Sequence, residues 1–136
     1  QLSTDANRFY IVMGQSNSSG AFTVGMYFCY DRYNALGHGF TNDNWIFVVR
    51  IGGAITAVDS GIAVNIASPQ KLEMQVNNLS EVKFFIDNIL ISTITTNIST
   101  GALNRVVGIF KTLGTTLVSL VPDYIYTSNK PLTPRI

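Results

Sequence analysis

The sequence predicts an all-β protein, an antiparallel sandwich of short strands, and three observations carry that expectation. Val, Ile and Thr number 12, 14 and 13 among 136 residues, and these branched side chains suit a pleated, half-buried surface. Glu and Lys, the usual residues of exposed helix faces, number only 2 and 4, which leaves little to build a helical surface. Short apolar or alternating runs recur along the chain, each closed by Gly, Asn, Asp or Ser. Helix should therefore occupy less than about a tenth of the residues. With 46% hydrophobic residues the chain can bury a core, and its length fits one domain.

Arg8–Gly14 (RFYIVMG) reads as the first strand, ended by the polar turn run Gln15–Gly20. Ala21–Tyr30 (AFTVGMYFCY) is apolar on both faces, as in a strand covered from both sides. Asp31–Asn44 is the longest irregular stretch, rich in Asn, Asp and Gly. Trp45–Ile51 follows as a strand, and Gly52-Gly53 signals a hairpin into Ala54–Val58. Asp59-Ser60-Gly61 reads as another turn before Ile62–Val64.

The next hairpin has the clearest pattern. Leu72, Met74 and Val76 alternate with Lys71, Glu73 and Gln75, and after a turn at Asn77-Asn78, Val82, Phe84 and Ile86 alternate with Glu81, Lys83, Phe85 and Asp87. The apolar set is expected inside and Lys71, Glu73, Gln75 and Lys83 outside, because a one-residue slip would turn six apolar side chains to water. Asp87-Asn88, between Ile86 and Ile89, suits a two-residue type I′ turn. Ile89–Thr95, Arg105–Thr112, Thr116–Val121 (after a Gly114-Thr115 turn) and Tyr124–Thr127 complete about nine strands. The tail Ser128–Ile136, with Pro131 and Pro134, reads as an extended exit. Because the chain starts at Gln1, the single domain 1–136 is expected to be part of a longer polypeptide.

Charge excludes several classes of function. The 9 Lys+Arg and 8 Asp+Glu give a net charge of +1, and the cations are spread singly, not clustered as phosphate binding requires. No nucleic-acid partner is expected. The lone Cys29 cannot form an internal disulfide. The longest uncharged run, NILISTITTNISTGALN, holds too many Ser, Thr and Asn for membrane insertion.

Four segments carry a resemblance: VGMYFCYDR, NWIFVVRIGGAITAVDSGIAV, KLEMQVNNLSEVKFFIDNILISTITTNIST and the closing VPDYIYTS. Together, from Ala21 to Tyr126, they resemble the concanavalin A-like jelly-roll domains of phage and other viral structural proteins, such as head and tail fibres. The third segment is the most specific. The resemblance implies a jelly roll displayed on a virion, with other copies of itself and other virion proteins as partners and a host surface glycan as a further one. It departs at the front, where such domains carry extra strands. Little precedes Arg8, so an edge strand there would be left open to a neighbour.

Catalytic chemistry finds little support. Glycosidases need two carboxylates flanking one bond, whereas Glu73 and Glu81 are separated by the Asn77-Asn78 turn. His38, in Gly37-His38-Gly39, has no nucleophile elbow near it and reads as a loop surface residue. Cys29 would need His38 as partner and reads better as a core residue. Asp31, Asp43 and Asp59 are scattered without a calcium-loop spacing. No catalytic residue, metal or cofactor is expected. Asn17, Asn78 and Asn97 each open an N-x-S triplet, which matters only in a glycosylating compartment.

Sugar faces combine exposed rings with nearby amides and carboxylates. Tyr30, Tyr33, Phe40 and Trp45 lie around the Asp31–Asn44 loop, with Trp45 and Phe40 better read as core. The candidate ligand-binding set is Tyr33, to stack, with Asn34, Asn42 and Asp43 to bond hydroxyls. Tyr124 and Tyr126 share one face of the last strand and could stack on a neighbour. The expected function is therefore a non-enzymatic virion structural protein, a fibre or capsid-decoration domain on the particle surface that serves host attachment. A carbohydrate-binding module or lectin is the alternative.

Overall fold

A computed structural model describes residues 1–17, 22–122 and 125–126. The described residues form eight strands and no helix: β1 Phe9–Ser16, β2 Val24–Tyr30, β3 Asn44–Ile51, β4 Ala54–Ala63, β5 Leu72–Asn77, β6 Glu81–Ile86, β7 Ile89–Ile94 and β8 Asn104–Lys111. They make two antiparallel sheets, one in the order β4-β3-β2-β1-β8 and one in the order β5-β6-β7. This is the all-β, two-sheet sandwich the composition predicts.

Turn chemistry sets much of the register. Asp87 and Asn88 have φ of 51° and 67°, the two left-handed positions of a type I′ turn, and Ile86 pairs with Ile89 across it. Gly52, at φ 57°, opens the two-residue link from Ile51 to Ala54. The β5–β6 turn falls one residue later than expected. Asn78 and Leu79 take φ of 50° and 55°, and the Ser80 N–H closes onto the Asn77 carbonyl at 2.9 Å. Asn77 itself stays in the ladder opposite Glu81.

Three expectations are corrected. Asp59-Ser60-Gly61 is not a turn between strands. β4 runs through it, and the ladder shifts register between Asn44 and Ile46 to absorb the extra residues. Such a bulge keeps both flanks paired while relaxing one stretch of strand. The first strand is not an open edge near Arg8, because β1 lies between β2 and β8. Thr116–Val121 joins no ladder among the described residues, although Val118 and Leu120 pack on the core. Of the expected Tyr124–Thr127 strand, only Ile125 and Tyr126 are described, both outside any strand. The Ser128–Ile136 tail lies outside the described residues.

The main core fills the space between the sheets. Phe28 and Phe47 from the larger sheet meet Phe84 from the smaller one, with Phe84 stacked on Phe47 at 4.8 Å and edge-on to Phe28 at 5.2 Å. Val82, Phe84 and Ile86 are buried, with Leu72, Met74 and Val76 packed against them. Lys71 and Gln75 are exposed, and Glu73 and Lys83 are half-exposed, so the alternation resolves as expected. A second apolar layer covers the outer face of the larger sheet. Val12, Tyr27, Cys29, Ile46, Val48 and Val106 lie there under Phe22, Leu36 and Phe40. β2 is thereby buried on both sides. At Gly14 the strands lie so close that a Cβ would sit 2.4 Å from the Met26 carbonyl oxygen.

Candidate functional site

The segment between β2 and β3 folds back over the outer face of the larger sheet, and its polar side chains gather in separate groups. The most buried group is Cys29, Asp31 and His38, whose polar atoms lie within 4.8 Å of one another. Cys29 and Asp31 are two residues apart at the end of β2 and so project to the same face. His38 comes from the loop. Gly37 and Gly39 flank it with φ of 73° and 95°, a backbone course that turns the ring inward. Its side chain is 0% exposed and that of Asp31 is 1% exposed. The expectation that His38 is a surface residue is therefore overturned, because a buried carboxylate draws the ring under the loop.

The hydrogen bonds fix the roles in this group. Asp31 accepts the Ala35 N–H on Oδ1 at 2.9 Å and the Leu36 N–H on Oδ2 at 2.8 Å. Phe40 donates its N–H to His38 Nδ1 at 3.1 Å, which leaves the ring proton of a neutral imidazole on Nε2. Nε2 lies 3.2 Å from Asp31 Oδ2, too bent for a well-aligned hydrogen bond. Burial pushes the Asp31 carboxyl up, but the His38 contact and the two amides outweigh it and hold it below the ordinary carboxylate range. Burial, with Asp31 beside it, pushes the Cys29 thiol well up, so the thiol stays protonated and unreactive. These three residues are the nearest the described chain comes to a metal-ligand set. Ligation at Nε2 would require its proton to move to Nδ1, against the Phe40 N–H. The arrangement is a polar lock that ties the loop to the sheet.

The four residues expected to bind a ligand are not joined to one another by any hydrogen bond among the described residues. Tyr33 is half-buried; its hydroxyl donates to Asp5 Oδ1 at 2.9 Å, and the Arg8 guanidinium lies 4.4 Å over its ring. Asn34 shapes the loop, with φ 54° and its Oδ1 accepting the Gly39 N–H at 2.8 Å. Asn42 reaches β4, donating to Asp59 Oδ2, while Asn44 donates to Asp59 Oδ1 at 2.9 Å. Asp43 accepts the Tyr30 hydroxyl at 3.0 Å and pairs with Arg32 at 3.0 Å. Asp5, Arg8 and Asp59, which sequence reasoning did not bring to this loop, are its main outside partners. Only the tertiary fold places the N-terminal segment beside it.

Other residues resolve plainly. Trp45 is core, as expected, and its Nε1 donates to Gln70 at 3.0 Å. Phe40 packs in the outer apolar layer. Glu73 pairs with Lys71 at 3.2 Å, and Glu81 with Lys83 at 3.1 Å. The Asn77 amide and then Lys83 hold the Glu81 carboxyl below its ordinary range.

The described residues thus define an antiparallel two-sheet sandwich whose best-formed polar cluster is buried beneath a loop. No family model, curated protein or solved structure matches the chain.

Proposed function

We propose that the chain is a non-enzymatic virion structural domain, a concanavalin A-like jelly roll displayed in several copies that associate with one another. The observation that carries this reading is the segment Thr116–Val121. Val118 and Leu120 pack against the inter-sheet core, while Leu117 and Val121 are 97% and 85% exposed. Its backbone joins no ladder among the described residues, and Thr112–Pro122 carries no charge. An uncharged segment that joins no ladder among the described residues is open to pairing with another strand, and identical copies meet there without like-charge repulsion. The experiment is light scattering of the wild-type chain and a Leu117→Asp, Val121→Asp variant. The wild type is expected to assemble and the variant to remain a folded monomer. A wild type that stays monomeric at high concentration and never joins particles overturns the proposal.

A glycan-binding role is the second reading, favoured by the group of Tyr33, Asp5, Arg8 and Arg32. Arg8 and Arg32 are 42% and 43% exposed at the side chain and Asp5 is 91% exposed, so hydroxyl-bonding groups surround a half-exposed ring. Asn34, Asn42 and Asp43 belong to the same loop and would supply further acceptors to the sugar.

A further inference from the structure

We infer that Asn78 is the one N-glycosylation acceptor this fold accommodates. The chain offers three N-x-S triplets, beginning at Asn17, Asn78 and Asn97, and the structure treats them differently. Asn17 spends its amide internally: Nδ2 donates to Thr23 Oγ1 at 3.0 Å and Oδ1 accepts the Val24 N–H at 3.1 Å. Asn97 is half-buried, its Nδ2 donates to Thr56 Oγ1 on β4 at 2.9 Å, and the hydroxyl residue of its triplet, Ser99, is buried. A glycosylated Nδ2 keeps one proton, so a sugar on either nitrogen must leave that proton to the existing contact and fit beside it, a restriction Asn78 does not carry. Asn78 stands exposed at the tip of the β5–β6 hairpin, and its side chain makes no hydrogen bond among the described residues. Ser80, which completes its triplet, is exposed too. Its hydroxyl bonds only the Asn77 carbonyl.

The reaction is glycosyl transfer from a lipid-linked oligosaccharide pyrophosphate, catalysed by the transferase of a secretory compartment. The sugar C1–O bond to the pyrophosphate breaks, C1 bonds to Asn78 Nδ2, one amide proton is lost and the lipid pyrophosphate leaves. Transfer precedes folding, so the fold acts by deciding which modified chains mature. A glycan at Asn78 projects from a turn whose backbone bond, Ser80 N–H to Asn77 carbonyl, it does not touch. It would also shield the neighbouring Leu79, which is 51% exposed. The inference does not depend on the virion reading, since it concerns only which acceptor the folded chain tolerates.

The test is expression of the full chain through a eukaryotic secretory pathway, followed by site-resolved mass spectrometry of the secreted, protease-resistant protein. One glycan, at Asn78, is expected. Ser80→Ala should be secreted bare, and so should Asn78→Asp, which removes the acceptor with a residue that tolerates the left-handed turn. Two variants separate loss of the acceptor from damage to the hairpin. Folded wild-type protein with Asn78 unmodified, or with a glycan at Asn17 or Asn97, overturns the inference.

Discussion

The β5-β6-β7 sheet has one dry face and one wet face, whereas β2 is dry on both. On β6, Val82, Phe84 and Ile86 point to the inter-sheet core while Glu81, Lys83 and Phe85 keep partial contact with water. On β2, Met26, Phe28 and Tyr30 face that same core, while Tyr27 and Cys29 face the outer layer. The two cores are closed by different means. The inner one is sheet on sheet, held by stacked aromatic rings. The outer one is closed by a loop, which has no ladder of its own and is secured by the buried Asp31–His38 contact and the amides it organises. A sheet thus completes its core through area, and a loop completes one through a few buried polar contacts.

The sharpest way to break the comparison is Phe84→Ala, which removes the ring shared by Phe28 and Phe47. It should cost about 3–5 kcal/mol, the usual range for emptying a buried aromatic site, read as a shift of the whole denaturation curve. Lys83→Ala, its neighbour on the wet face, should stay within about 0.5 kcal/mol. A Phe84 variant of near wild-type stability would mean that the two sheets are not packed as described.

Asp31→Asn tests the outer layer and should have a smaller, local effect. Losing the charge from a carboxylate that holds two amides and faces His38 should cost about 1.5–3 kcal/mol, with faster amide exchange at Ala35 and Leu36. The pH dependence has a definite sign. The folded-state pKa of Asp31 is depressed, so its contribution is complete above the unfolded carboxylate value and is lost as pH falls through the folded value. Acid unfolding of the wild type should therefore include a component that Asp31→Asn lacks. Identical acid limbs in the two proteins would remove Asp31 from that role.

Tyr33→Ala should have a smaller effect on stability than Asp31→Asn, because the cation–π contact it loses with Arg8 is partly exposed. It sharpens the comparison because this residue belongs to the loop yet not to its buried lock. If the glycan reading holds, the variant should lose signal on a glycan array while folding as the wild type does. Unchanged binding would assign the contact to another surface.

In the β5–β6 hairpin, where one face of each strand meets water, the sequence carried the structure. Lys71, Glu73 and Gln75 against Leu72, Met74 and Val76 settle both the strand and its orientation, because charge on one side and apolar groups on the other admit a single register. Asp87-Asn88 settles its turn for an equally local reason, tolerance of positive φ. Residue pattern also made Trp45 and Cys29 core. Tertiary structure decided what no local pattern encodes: which face of β2 meets the smaller sheet, that β8 returns beside β1, and that Thr116–Val121 alternates like a strand yet joins no ladder among the described residues. It also drew His38 inward, because an imidazole between two glycines is free to face water or protein until the buried Asp31 carboxylate, just past the end of β2, faces its Nε2 at 3.2 Å and the Phe40 N–H bonds its Nδ1.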